Sequence, residues 1–232
     1  MFKVSNRHIA ALSGAALLLS LAACSSDSDG WSVKGRIDNA AGKQLIVETG
    51  TFVGWTPVDT VEIASDGSFT ASGEAKGYPD IYRLCIDGST VYFPIDSVET
   101  ITIEGSLPAL ESNYTLGGST DAEMIMAVDR EISAVVARVG IDSALTDPVM
   151  KRSLTEILLR DPKSITAYYI VSRRLGGRLI FDPTNRNDHR VIGAVANSFT
   201  QFRPTDPRTS MLANLYLSHR RVARTDTIVG NS

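Results

Sequence analysis

"ITIEGSLPALESNYTLGGSTDAEMIMAVDREISAVVARV", residues 101–139, contains the change of period that decides the fold. Its opening residues alternate apolar and polar side chains, as a strand with one buried face does. Beyond "YTLGGS" the alternation stops. Met124, Ile125, Val128, Ile132, Val135, Val136 and Val139 then recur three and four residues apart, which places them on one face of a helix. Thr120, with Glu123 three residues on, reads as a capping box at its start. A β unit gives way to an α unit between residues 106 and 120.

Working back from that boundary, period-two runs recur: "WSVKGRI", "QLIVE", "DTVEI", "SFTAS", "IYRLCI", "TVYFPI" and "TITIE". Asp66-Gly67 and Asp87-Gly88 read as two-residue hairpin turns, whose central positions require positive φ. Asp38-Asn39 with Gly42 marks a longer loop. Short strands at this spacing predict an antiparallel sandwich or barrel rather than a βαβ sheet.

Working forward, helix signals repeat. Asp147-Pro148 starts a second helix that ends near Arg160, and Ser164 caps a third reaching about Leu175, where Gly176-Gly177 stops it. Asp188 is the expected cap of a fourth, with Val191, Ile192, Val195 and Phe199 on its buried face. Asp206-Pro207 opens a fifth, carrying Met211, Leu212, Leu215 and Tyr216, and "TDTIVGNS" reads as a frayed end. The fold class expected is therefore α+β: an N-terminal antiparallel β-sandwich or barrel over residues 31–119, then an all-α helical region of about five helices over residues 120–232.

Charge divides at the same boundary. Residues 24–119 hold 5 Lys/Arg against 14 Asp/Glu, and residues 120–232 hold 16 against 12. The first unit repels phosphate and the second is only mildly basic, so nucleic acid is not an expected partner.

Residues 1–23 begin with Lys3, Arg7 and His8 and continue into "IAALSGAALLLSLAA", which is uncharged. A basic start, an apolar centre and small residues at the end make a secretory signal peptide, and the apolar run is too short for a membrane span. Leu21-Ala22-Ala23-Cys24 resembles the lipobox of bacterial lipoproteins, which implies cleavage after Ala23 and lipidation of Cys24. Two acyl chains on one thioether suffice for stable attachment to a membrane. "CSSDSDG", residues 24–30, then serves as lipidated N-terminus and flexible tether. Ser25 in the second position resembles outer-membrane sorting, and Asp27 with Asp29 resembles the export signal of surface-exposed Bacteroidetes lipoproteins. The expected location is the cell envelope, on the periplasmic or surface face of the outer membrane.

Candidate sites inside the folded part are sparse. The two cysteines, Cys24 and Cys85, form no CxxC, and with Cys24 acylated Cys85 has no internal partner, so it reads as an inert, structural thiol. His189, expected to be exposed in a first helical turn, and His219, in a basic last turn, have no ligand-spaced companions. "FDPTNRNDH" lacks the alternate aspartates and the mid-loop glycine of a calcium loop, so Asp182 and Asp188 read as turn and cap residues. Trp31, Trp55, Tyr78, Tyr82, Tyr92 and Phe93 are candidates for a sugar- or peptide-binding face, with core packing as the plainer reading. No catalytic residue, cofactor-binding residue or metal ligand is assigned, and the chain reads as a non-enzyme.

"VKGRIDNAAGKQLIVE", "DTVEIASDGSFTASGEA", "IYRLCIDG" and "ITIEGSLPALESNYTLGGS" together resemble a domain of unknown function found in Bacteroidetes lipoproteins. In that family the domain precedes a thioredoxin-like thiol–disulfide oxidoreductase domain, joined to it by helices. "LRDPKSITAYYIV", "LIFDPTNRNDHRVI" and "FRPTDPRTSMLANL" are similar to that helical linker. The resemblance implies a thioredoxin-like protein as a partner alongside other envelope proteins. Because no position here matches the CxxC, no catalytic residue carries over, and the resemblance implies a stand-alone or truncated accessory region. A lipid-anchored binding or assembly module is the leading expectation, an accessory of thiol–disulfide exchange the second, and a glycan-binding surface lipoprotein the third.

Overall fold

The computed structural model describes residues 30–51 and 54–219. The expected signal peptide, Leu21, Ala22 and Ala23 of the cleavage motif, Cys24, the tether up to Asp29, and the "TDTIVGNS" terminus lie outside the described residues.

Eight strands come first: β1 (Gly30–Asp38), β2 (Gln44–Thr51), β3 (Gly54–Glu62), β4 (Ser68–Glu74), β5 (Asp80–Ile86), β6 (Ser89–Ile95), β7 (Thr100–Ser106) and β8 (Tyr114–Gly117). They form two four-stranded sheets, in the orders β4-β1-β7-β8 and β3-β2-β5-β6. All pairings are antiparallel except β1 with β7, which run parallel with Ser32 opposite Thr100. The sheets pack face to face over one core in which Val33, Leu45, Leu84, Phe93, Ile101 and Ile103 are fully buried. The strands alternate because each has an inner face: on β5, Tyr82, Leu84 and Ile86 point into this core, while Arg83 and Cys85 point away. Gly35 on β1 sits where a Cβ would lie 1.7 Å from the Ile103 carbonyl, so only glycine lets these two strands close up.

The hairpin expectation holds at one turn and fails at the other. Asp87 and Gly88 both take positive φ, 49° and 86°, and Ile86 pairs with Ser89 across a tight turn. Asp66-Gly67 instead joins strands of different sheets. There Gly67 is at φ 85°, and the Asp66 carboxylate accepts from the Ser68 N–H and hydroxyl, closing a local turn instead of a hairpin.

The helical part comprises α1 (Thr120–Ala144), α2 (Pro148–Arg160), α3 (Ile165–Ser172), α4 (Arg186–Phe202) and α5 (Pro207–His219), with a small hairpin of β9 (Arg174–Leu175) and β10 (Arg178–Leu179) after α3. Ser119, not Thr120, caps α1, its hydroxyl accepting from the Ala122 N–H, and non-helical backbone at Gly140 interrupts this helix near its end. Asp147 and Ser164 cap α2 and α3. Asp206 accepts from the Arg208 N–H at the start of α5. Gly176-Gly177, expected to stop a helix at Leu175, forms the two-residue turn between β9 and β10, both at positive φ, because α3 already ends at Ser172.

α4 also departs from expectation. Asn185 is its cap, accepting from the Asn187 and Asp188 N–H groups. Asp188 lies one turn in, is buried, and pairs with Lys151 of α2 while accepting from the Asp182 N–H. His189, expected exposed, is buried: its Nε2 donates to the Tyr216 carbonyl at 2.9 Å and its ring stacks on Tyr216.

The two units share a boundary surface. α1 lies against β6 and β8, and α3 against β5, so helices pack on the β5-β6 side of the β3-β2-β5-β6 sheet. Ile81 of β5 belongs to the helical core, and Ala122 of α1 to the sandwich core. Among the described residues no helix is long and apolar enough to cross a membrane.

Candidate functional site: an aromatic cleft between sandwich and helices

The six aromatic residues singled out from the sequence separate into two groups. Trp31, Tyr82 and Phe93 are buried inside the sandwich, with Trp31 and Tyr82 ring centroids 4.8 Å apart. Strand parity sends Trp55 and Tyr92 to the opposite, outer face, where they meet at 5.7 Å. With Tyr78 they line a cleft of about 680 Å³ between the sandwich and the helices α3 and α5.

Sequence reading missed the helical wall. Tyr168 and Tyr169 come from α3, Arg173 and Arg174 from the segment that follows it, and Met211 and Leu215 from α5. Helical spacing explains the last two, which stand four residues apart on one face of α5. The adjacent pairs Tyr168-Tyr169 and Arg173-Arg174 carry no such periodicity, and only the fold brings them opposite Trp55 and Tyr92.

Behind Arg173 lies a buried polar knot. Asp129 of α1 accepts from the Tyr169 hydroxyl at 2.6 Å and the Tyr114 hydroxyl at 3.1 Å, and its Oδ1 is 3.3 Å from Arg173 Nε. Burial pushes the Asp129 carboxyl above the ordinary carboxylate range, opposed by the Arg173 charge and the tyrosine hydroxyls. The same burial pushes the Tyr114 and Tyr169 hydroxyls upward, reinforced by the carboxylate they face. Arg130 completes the seam between the units by donating to the Tyr114 carbonyl at 2.8 Å.

A second knot closes the cleft's other side. Arg208 grips Asp206 through two bonds of 2.8 Å and reaches Asp80 of β5 at 3.2 Å. Asp80 also accepts from Lys76 at 2.6 Å and from the Thr49 hydroxyl at 3.1 Å. The Arg208 guanidinium sits between Tyr78 and Tyr168, 5.3 Å from each ring.

Beside the cleft on the same sheet face, Arg83 stacks over Trp55 at 4.5 Å and holds Glu48 at 2.6 Å. Burial alone would raise the Glu48 carboxyl, but the bonds from Arg83 and Cys85 carry it below the usual range. The Cys85 thiol donates to the same carboxylate at 3.1 Å, and burial together with that bond pushes it up to about 12. A thiol so held is protonated at neutral pH, the reverse of the low-pKa thiolate that exchange chemistry uses.

The remaining candidates are structural. Asp182 accepts from the Thr184 N–H and hydroxyl in a turn, and His219 Nδ1 meets the Leu215 carbonyl at 3.0 Å. Among the described residues no three His, Cys, Asp or Glu side chains converge as a metal site.

No curated protein matches the chain. One solved structure, titled "Crystal structure of (S)-allantoin synthase", is 10% identical with a TM-score of 0.30 over 40% of this chain. The matched part spans 45% of that structure's own chain, and a likeness of this degree carries no argument about activity. Residues 31–125, which take in the sandwich and the start of α1, match the family described as "Domain of unknown function (DUF4369)".

Proposed function

We propose that this chain is a lipid-anchored protein of the cell envelope, held at the outer membrane through Cys24, whose folded part is a non-catalytic binding or assembly module. The observation that carries the binding role is the cleft itself: about 680 Å³, walled by aromatic side chains from both units. Its volume lies within the roughly 300–1,000 Å³ of small-molecule sites. Most of its ionisable groups are bonded to one another, as Asp80, Lys76 and Arg208 are, which suits holding a ligand better than moving a proton. The anchor rests on the lipobox resemblance at Leu21-Ala22-Ala23-Cys24.

Each half has its own test. Mass spectrometry of the membrane-extracted protein is expected to find Cys24 as the N-terminal residue bearing acyl mass, and Cys24→Ser to release the protein from membranes. A membrane-bound Cys24→Ser protein would count against the anchor. For the cleft, p-benzoylphenylalanine at Met211, irradiated in the native envelope, is expected to acquire a mass adduct that the same group at exposed Val98 does not. Equal labelling at both positions, or none at Met211, defeats the binding role.

Accessory action in thiol–disulfide exchange is the second reading, favoured by the family resemblance. The protonated Cys85 thiol would leave the exchange chemistry to the partner, and a thioredoxin-like protein in the Met211 adduct would support this reading.

A further inference from the structure

Which end of an ion pair faces a cavity sets the field inside it. Arg173 and Arg208 both line the cleft, while their counter-charges Asp129 and Asp206 stand behind the wall. Arg174 and Lys76 add two more cations to the lining. Arg174 is exposed, and its Nη1 donates to the Gly177 carbonyl at 2.7 Å. Asp80 is the acidic side chain that reaches the cleft, and both of its oxygens are occupied by Arg208, Lys76, Thr49 and the Ile81 N–H. Four cations against one carboxylate leave the lining net positive.

The second observation is the aromatic lining, in which Trp55 and Tyr92 are inclined at 58° to each other. Trp55 and Tyr92 abut, and the Arg173 guanidinium lies over the Tyr92 ring at 4.6 Å. Stacking occupies the face of a guanidinium and leaves its N–H edge for an acceptor in the plane. Nε of Arg173 is buried 3.3 Å from Asp129, so that side of the guanidinium faces the wall and not the cavity.

We infer that the cleft binds an organic anion, a carboxylate carried on a flat or ring-shaped body. The ring enters the angle between Trp55 and Tyr92, against the ring surface that Arg83 and Arg173 leave uncovered, and the carboxylate meets Arg173 and Arg174. This deepens the binding-module reading and rests on it. An aromatic acid and a sugar acid share the required chemistry, since both present a ring face and a carboxylate.

The test is isothermal titration of the full-length protein in nanodiscs with 2-naphthoate and D-glucuronate, each against a neutral counterpart, 2-naphthamide and methyl glucoside. At least one acid is expected to bind tenfold or more tighter than its counterpart, and the acid that binds identifies the source. Arg174→Gln, at an exposed position, is expected to weaken that acid at least fivefold and to leave the neutral compound unchanged. Arg173→Gln is expected to weaken it further, with Arg173→Lys recovering part of the loss, and thermal melts establish that each variant is folded. Binding is also expected to weaken as salt is raised. Neutral compounds that bind as tightly as the acids, or an Arg174→Gln protein with unchanged affinity, would overturn the inference. If neither acid binds while Met211 still gains its adduct, the anion assignment falls and the binding module stands. If both fail, the module reading falls too.

Discussion

Arg83 and Cys85 stand two positions apart on one strand and meet the same carboxylate, yet Glu48 does opposite things to them. It stabilises the cation of Arg83 and opposes the anion of Cys85. Burial adds to the second effect and holds the thiol proton up to about 12, from an ordinary value near 9.0. The sign follows: below pH 9 the thiol is protonated in folded and unfolded chains alike. Between about 9 and 12 the unfolded chain releases its proton and the native one does not, so stability falls with rising pH across that window. Iodoacetamide labelling of Cys85 in a folded Cys24→Ser protein is therefore expected to keep accelerating beyond pH 10, whereas the urea-unfolded protein levels off above about pH 9. A plateau near pH 9 in the folded protein would contradict this. An inert Cys85 was the expectation from its isolation in the sequence, and the raised pKa of its thiol agrees with that expectation. Its carboxylate partner was not, because Glu48 is 37 residues away and faces it only through the β2–β5 register.

At the scale of elements, the caps of α2 and α3 were read correctly at Asp147, where Pro148 at the first helical position sets the phase, and at Ser164. Other caps were misread where several polar residues competed. "TNRNDH" offers Asn185, Asn187 and Asp188, and the helix begins at the first because that phase turns Asp188 inward to Lys151. The two residues should then differ in energetic weight. Asn185→Ala removes a cap and is expected to lower stability by about 1 kcal/mol. Asp188→Ala strands Lys151 and is expected to lower it by about 2–3 kcal/mol, less than the loss for a fully buried pair because Lys151 reaches water. Urea unfolding of both variants checks the order, and a larger effect at Asn185 would contradict it. Gly176-Gly177 teaches the same lesson, since a glycine pair ends a helix or turns a hairpin with equal ease. Only the early end of α3 at Ser172 decides which.

For the whole molecule, the change of period at residues 106–120 announced two units, but not that they would interlock. Ile81 belongs to the helical core and Ala122 to the sandwich core, and Arg208 ties α5 to β5 through Asp80. Neither unit can unfold without exposing apolar surface of the other. The chain is therefore expected to melt in one calorimetric transition, with van't Hoff and calorimetric enthalpies in agreement. Arg208→Met, which leaves Asp206 and Asp80 without their cation, is expected to lower stability by about 3 kcal/mol, or ~6–12 °C in Tm, without splitting that transition. Two resolved transitions in the wild-type protein would show that the cleft joins independent bodies. Strand order was also beyond sequence reading, because alternation reports which face a residue takes and not which strand lies beside it. The parallel pairing of β1 with β7 has a consequence in time. The first strand to leave the ribosome is an inner strand of its sheet, yet its parallel neighbour is not synthesised until Thr100 and beyond. Such distant pairing closes slowly, so although β1 can meet β4 earlier, its sheet is not completed until almost the entire sandwich has been made.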